Sequence, residues 1–263
     1  MDRRDKQITI CGVTFDNLSR QETVVMMESF VRQGGAHMIC TPNADHVIKI
    51  RRDPEFRRIV ENADLVVSDG LAVVYASWLL GTPFKECVGG RHLLPDMAEL
   101  SAKKGYRLFL LGGSSPQVTA TAAARLQKLY PGTEIAGFYS PPHRREFDEQ
   151  ETSRMLHKVN QSRPDMLFVC LGTPKQEKWI ARNLKRLEVP VAVGVGVALD
   201  MLAGKVRQPP PAMTRLGLEW LWRTLQDPIR LGKRYFIDDP LFIGLVVQQK
   251  LRAMGIISVR QRA

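Results

Sequence analysis

The sequence predicts an α/β fold: a mostly parallel sheet flanked by helices, followed by a helical C-terminal appendage. Three observations carry this. Short apolar runs alternate with helix-length segments as far as Val195, the pattern of strand–helix–strand crossovers. The strand-like runs, Leu65-Val66-Val67 and Met166 to Leu171 among them, are continuously apolar, as strands covered on both faces are. Finally, Gln208-Pro209-Pro210-Pro211 marks a composition shift. It divides the chain into an α/β body, residues 1–207, and an appendage, residues 208–263.

Each element has its own justification. Ile8 to Phe15 reads as a first strand or hairpin piece. Arg20 to Arg32 carries Val24, Val25, Met27 and Val31 at helical spacing, and Gly34-Gly35 stops it. Met38-Ile39-Cys40 is a short strand, and a helix from Ala44 to Arg51 follows the Asn43 turn. Pro54 opens another helix, to about Asn62. Leu65 to Val67 is a strand, Leu71 to Leu80 a helix, and Gly81-Thr82-Pro83 a break. A helix covers Leu94 to Lys104. Arg107 to Leu111 is a strand, and Gly112-Gly113-Ser114-Ser115-Pro116 starts a helix to Tyr130. Glu134 to Tyr139 is a strand and Glu149 to Asn160 a helix. Met166 to Leu171 is a strand, Pro174 to Leu187 a helix, and Val191 to Val195 the last strand.

Length and composition set bounds. The 263 residues are 44% hydrophobic and 25% charged, enough for a sizeable core without staples. No run of 18 apolar residues predicts a membrane span, and the N-terminal Met1-Asp2-Arg3-Arg4-Asp5-Lys6 lacks the apolar stretch of a signal peptide. Cys11, Cys40, Cys87 and Cys170 are widely spaced, which fits a reducing, cytoplasmic setting. The net charge of +11 is uneven: from Ala203 onward there are eleven basic and four acidic residues. A basic tail on a near-neutral body suggests an anionic partner: nucleic acid, an acidic membrane face or a diphosphate.

Polar residues stand where buried strands end. Thr41-Pro42-Asn43-Ala44-Asp45 and Ser68-Asp69-Gly70 each follow an apolar run. In open α/β sheets the ligand lies outside the carboxyl ends of the strands. Asp69 has two readings, an N-cap for the helix after it or a base. Gly112 and Gly113 open a helix and suit either a phosphate or an ordinary capped turn. Gly172, before Pro174, repeats that layout, with Lys175 and Gln176 in the first helical turn. His46 and His92 are candidate acid–base groups whose more common role is structural. No metal-spaced cluster of His, Cys, Asp or Glu occurs, so no metal and no cofactor are expected. In the appendage, Gly217 to Tyr235 mixes Trp, Leu and Arg, as an interfacial segment or a helix packed on the body does.

Taken in order, Thr41-Pro42-Asn43-Ala44-Asp45-His46, Ser68-Asp69-Gly70, Leu110 to Gly113, Leu171 to Glu177, Gly194-Val195-Gly196 and the segment Gly217 to Tyr235 resemble the WecG/TagA/CpsF family of bacterial glycosyltransferases. The likeness spans roughly residues 8 to 245. It implies a Rossmann-like core and inverting, metal-independent transfer of a hexose. The hexose is N-acetylmannosamine, its uronic acid or glucose. It moves from a UDP-sugar to a polyprenyl-diphosphate-linked sugar, in cell-surface or exopolysaccharide synthesis. The setting implied is the cytoplasmic face of the plasma membrane, peripherally bound to anionic lipid, with trimers among the assemblies. Asp69 matches the catalytic base, and Thr41 and Asn43 match residues near the sugar. Gln176 matches a residue near the diphosphate, and Asp200 one near the nucleoside. Arg223 and Arg230 match appendage arginines that complete the site, and the third basic position of that set falls at Lys233-Arg234. Gly196-Val197-Ala198-Leu199-Asp200 departs from the commoner Gly-Gly-x-Phe-Asp form.

Physical chemistry fits this. Inverting transfer needs one base opposite the leaving group, and one carboxylate suffices. Without a metal, the charge on the departing diphosphate calls for arginines and helix N-termini, here Arg223, Arg230 and the Gly112, Gly113 and Gly172 turns. Two rivals are weaker. A nucleotide-binding oxidoreductase needs a glycine fingerprint after the first strand, which Gly12 to Asn17 lacks. A nucleic-acid-binding protein would interleave basic and stacking aromatic residues on an exposed face, whereas these sit in an apolar tail.

Overall fold

The computed structural model describes residues 7–144, 146–206 and 238–257, together with the single positions 210, 213, 222 and 225. Arg223 and Arg230, and Lys233-Arg234 with them, lie outside the described residues.

The chain opens with a hairpin. Strands β1 (Gln7–Ile10) and β2 (Val13–Asp16) pair antiparallel through the two-residue turn Cys11-Gly12. Both turn residues have positive φ, +50° and +86°, the backbone that matches the twist of two-residue hairpins. The hairpin is a separate two-stranded sheet, packed on the body.

The main sheet has six strands: β3 (His37–Cys40), β4 (Leu65–Val66), β5 (Arg107–Gly112), β6 (Glu134–Tyr139), β7 (Met166–Cys170) and β8 (Val191–Gly194). Their order is β4-β3-β8-β7-β5-β6, and every pair is parallel. The helices between them are α1 (Arg20–Gln33), α2 (Ala44–Arg52), α3 (Pro54–Glu61), α4 (Leu71–Leu80), α5 (Gly90–Lys104), α6 (Pro116–Leu129), α7 (Glu149–Ser162), α8 (Lys175–Asn183) and the short α9 (Ala198–Leu202). Helix α10 (Asp239–Ala253) follows in the appendage.

Strand side chains alternate between two cores. Phe109, Leu111, Leu167, Val169 and Ala192 face the hairpin and helices α2, α3, α4, α7, α8 and α10. Leu108, Leu110, Phe168, Val193 and Ile39 face α1, α5, α6 and α9. The expected doubly covered parallel sheet is present. Helix α10 seats Phe242 and Val246 in the first core. It also caps the hairpin: Cys11 N donates to Gln249 Oε1 at 2.6 Å, and Gln249 Nε2 donates to Thr9 O at 2.9 Å.

Three elements differ from the sequence expectation. Helix α5 begins at Gly90, four residues before Leu94, and carries Pro95 inside it. Its start is set by packing: a Cβ on Gly90 would meet Val195 Cα at 2.6 Å. Helix α8 begins at Lys175, after Pro174, and its regular part ends at Asn183 rather than Leu187. Helix α9 was not expected; Gly196 at φ +58° turns the chain into it.

Candidate functional site

The parallel sheet brings the C-terminal ends of its strands to one edge. Neighbouring strands β5 and β7 wind in opposite directions, β5 leading out to β6 at one edge and β7 leading back to β8 toward the other. A crevice at such a reversal is where open α/β sheets bind ligands. Gly112 ends β5, and Thr41, Asn43, Asp69, Gly113, Gly172, Gln176 and Asp200 follow strand ends at this edge.

Thr41, just past β3, is buried, and its hydroxyl donates to Gly194 O at 3.2 Å, tying the two central strand ends together. Asn43 is the N-cap of α2. Its Oδ1 accepts from His46 N at 3.2 Å and pairs with His46 Nδ1 at 2.7 Å. With Oδ1 held this way, the amide's Nδ2 end is oriented away from His46.

A buried chain of polar groups continues from there. His46 Nε2 lies 2.6 Å from Thr173 Oγ1, which is 3.2 Å from Glu177 Oε1. Gln176 Nε2 donates to the same Glu177 oxygen at 2.6 Å, and Gly196 N donates to Gln176 Oε1 at 3.2 Å. Gln176 and Glu177 are 1% and 2% exposed, so this chain is the floor of the edge rather than its lining. Glu177 Oε2 is buried without a hydrogen-bond partner among the described residues. Lys175 points elsewhere: its Nζ donates to Arg144 O at 2.7 Å and sits 4.8 Å above the Phe147 ring, and partial burial lowers its pKa.

Asp69 is not the cap of the helix that follows it. The N-cap of α4 is Gly70, at φ +86°, with no side-chain cap bond. Asp69 N donates to Pro42 O at 3.0 Å, which joins its loop to the Asn43 loop. A Cβ on Gly70 would lie 3.7 Å from Asn43 Cβ. The carboxylate itself lies against Gly89, the N-cap of α5. Around it stand Cys87, whose thiol pKa is raised by burial and then by the Asp69 charge, and His92, whose pKa is lowered by burial and then by Arg91. Arg91 Nε and His92 Nδ1 are buried without hydrogen-bond partners among the described residues.

The glycine turns have packing reasons as well as openness. A Cβ on Gly112 would meet Cys170 C at 2.6 Å, and Gly113 N donates to Cys170 O at 2.9 Å. Ser115 Oγ caps α6, accepting from Val118 N at 3.3 Å. Lys205 Nζ donates to Ser114 Oγ at 2.8 Å, which puts a cation beside this turn. Gly172, at φ +79°, faces open space. Asp200, in the first turn of α9, is 9% exposed; below it Cys170 is pushed up to about 12, chiefly by burial, with the Asp200 charge adding.

The strand-end edge thus collects Thr41, Asn43, Asp69, Gly112, Gly113, Gly172, Gln176 and Asp200, while Lys175 turns away from it. Sequence reasoning missed Gly89, Thr173, Glu177 and Lys205. The doublet Gly89-Gly90 ahead of a helix was the available signal for the first. A separate cavity of about 270 Å³, lined by Val13, Asp16, Ile50, Arg57 and Val60 among others, lies between the hairpin and α2 and α3, and none of the strand-end residues lines it. No group of three or more His, Cys, Asp or Glu side chains with metal-binding geometry occurs among the described residues. Nor, among them, is any helix long and apolar enough to cross a membrane.

Comparison with known proteins bears on this edge. The N-acetylglucosaminyldiphosphoundecaprenol N-acetyl-beta-D-mannosaminyltransferase of Staphylococcus aureus strain MW2 is 28% identical over 246 residues, 93% of either chain. The protein of the same name from Bacillus spizizenii is 30% identical over 222 residues, 84% of this chain and 83% of that one. The profile of the family described as glycosyl transferase WecG/TagA/CpsF matches residues 8–255, which include every strand of the sheet and helix α10 through Ala253. The chain is a glycosyltransferase and belongs to the WecG/TagA/CpsF family.

Proposed function

We propose that the protein transfers a hexose from a UDP-sugar to a sugar carried on a polyprenyl diphosphate, with inversion and without a metal, in the synthesis of a bacterial surface polymer. N-acetylmannosamine is the first donor to test, since the relatives named above are N-acetylmannosaminyltransferases acting on an undecaprenol-linked N-acetylglucosamine. The observation that carries the reading is the placement of Asp69: a carboxylate past a strand end that caps no helix of its own, on a loop tied to the Asn43 loop through Asp69 N and Pro42 O.

Asp69 takes the proton of the acceptor hydroxyl as its oxygen attacks the anomeric carbon. The bond from that carbon to the UDP oxygen breaks, and UDP leaves with the electron pair. Asn43, with its Oδ1 held by His46, turns amide N–H groups to the donor sugar, and Thr41 fixes the strand end beneath. Gln176 holds the Gly196 turn from below. Gly112, Gly113 and Gly172 let the diphosphate approach the backbone, and Asp200 meets the nucleoside. Arg223 and Arg230 come from the appendage to balance the charge developing on UDP, the work a metal does in other enzymes. The protein acts peripherally at the cytoplasmic membrane face.

The test is a panel of UDP-sugars assayed with short-chain lipid-diphosphate-sugar acceptors. Transfer of one hexose, with inversion at its anomeric carbon and in the presence of EDTA, is the expected result. Absence of transfer from every UDP-sugar overturns the reading.

A further inference from the structure

Helix α4 has no charged residue in its ten, Leu71 to Leu80. Val73, Val74, Ala76 and Ser77 are buried against the body. Leu71, Tyr75, Trp78 and Leu79 are 47%, 58%, 61% and 51% exposed. Their spacing of four, three and one places all four on one helical face. A helix apolar on every side is normally buried on every side. This one leaves four large side chains exposed on one face, and the Tyr75 and Trp78 rings pack edge to face at 6.0 Å there.

Helix α10 packs beside α4 and carries exposed apolar residues of its own. It turns Phe242 and Val246 inward, while Leu241, Ile243 and Val247 are exposed, followed by Met254 and Ile256. Its acidic residue is at its first turn, and its last turn carries Lys250 and Arg252.

We infer that the exposed face of α4, with that of α10 beside it, is a membrane-docking surface that lies in the headgroup region of an anionic bilayer. Contiguous exposed apolar surface marks an interaction site. Aromatic and aliphatic side chains without charge suit the boundary between headgroups and acyl chains, and a basic turn at the rim suits anionic lipid. The net charge of +11 has the same sign.

Position also argues for a bilayer over a second copy of the chain. Leu71 is two residues from Asp69, so the stripe starts at the mouth of the candidate site. A polyprenyl chain stays in the hydrocarbon while its diphosphate and sugar stay at the surface. A docked α4 brings Asp69 to that level with the lipid still in the membrane. This last step rests on the proposed acceptor; the docking does not.

The full-length protein is sedimented with vesicles of phosphatidylglycerol and phosphatidylethanolamine. Two variants are compared with it, Tyr75→Ser/Trp78→Ser/Leu79→Ser on α4 and Ile243→Ser/Val247→Ser on α10. Both replace exposed groups and keep the wild-type Tm. Each is expected to lower vesicle partition, the first by about tenfold or more, while Trp78→Phe retains most of it. Turnover with a short-chain, water-soluble acceptor is unchanged in the α4 variant, and turnover with a polyprenyl acceptor in vesicles falls. Unchanged vesicle partition in both variants overturns the proposal. So does a change from oligomer to monomer with vesicle binding kept, which would make the face a contact between copies. If the wild type transfers sugar to neither acceptor, the proposed function fails and the vesicle measurement still decides the docking.

Discussion

The carboxylate of Asp69 occupies the space in which a side chain at position 89 would begin: a Cβ built on Gly89 would lie 2.6 Å from Asp69 Cγ. Gly89 has φ −93° and ψ 165°, an extended backbone open to any residue. Its missing side chain therefore serves space and not conformation. Asp69 is set against the N-terminal end of α5, whose first turn has no acidic residue and whose cap offers no side-chain oxygen. The partial positive charge of that helix end therefore lies directly against the carboxylate.

Two substitutions test this arrangement. Asp69→Asn is expected to keep Tm and UDP affinity and to lower turnover by about 10² to 10⁴. Gly89→Ala is expected to follow it, because the added methyl displaces the carboxylate. Wild-type turnover in the Asn variant removes Asp69 from the mechanism, and wild-type turnover in the Ala variant removes the placement argument.

Donor binding is expected to be independent of divalent ions. Calorimetric titration with UDP in EDTA should give the same affinity as in magnesium. Loss of binding in EDTA would show that a metal shares the diphosphate site.

His46→Ala is expected to destabilise the fold by about 1–3 kcal/mol, because Thr173 and the already underpaired Glu177 lose a neighbour in a buried place. Asn43 loses the side-chain bond to its Oδ1, so KM for the donor sugar should rise as well. A wild-type Tm measured by calorimetry would mean that water replaces the ring fully.

Glu28 gives a pH dependence. It joins α1 to α5 through Lys104, and Tyr106 donates to it at 3.1 Å. The Lys104 hydrogen bond, opposed by burial and helped by Tyr106, holds its pKa below the usual carboxylate range. A carboxylate depressed in the folded state stabilises above its unfolded pKa, and loses that effect as pH falls through the folded value. Glu28→Gln should therefore lower Tm at pH 7, and the gap to wild type should close below about pH 4. A gap constant across this range would refute the ion-pair account.

Much of the body was legible because its signals are local. Continuous apolar runs marked the strands, and Asn43, Asp69 and Gly112 stood after such runs. What was hidden depends on contacts distant in sequence. The start of α5, four residues before the expected Leu94, is set by Val195 pressing on Gly90, more than a hundred residues away. Gln176 reads as a first-turn residue facing a ligand, and its burial follows from the return of the Gly196 turn above it. The sheet order, with β8 inserted beside β3, has no local signature at all.

The clasp between Gln249 and the first hairpin joins residues 238 positions apart. On a ribosome, the hairpin emerges long before α10, and its polar edge waits for the 238 positions that separate Cys11 from Gln249. Until then the edge at Thr9 and Cys11 is open to pairing with other nascent chains. Helix α10 thus acts as a late-arriving guard, and shortening the protein before Gln249 would be felt first as aggregation during synthesis.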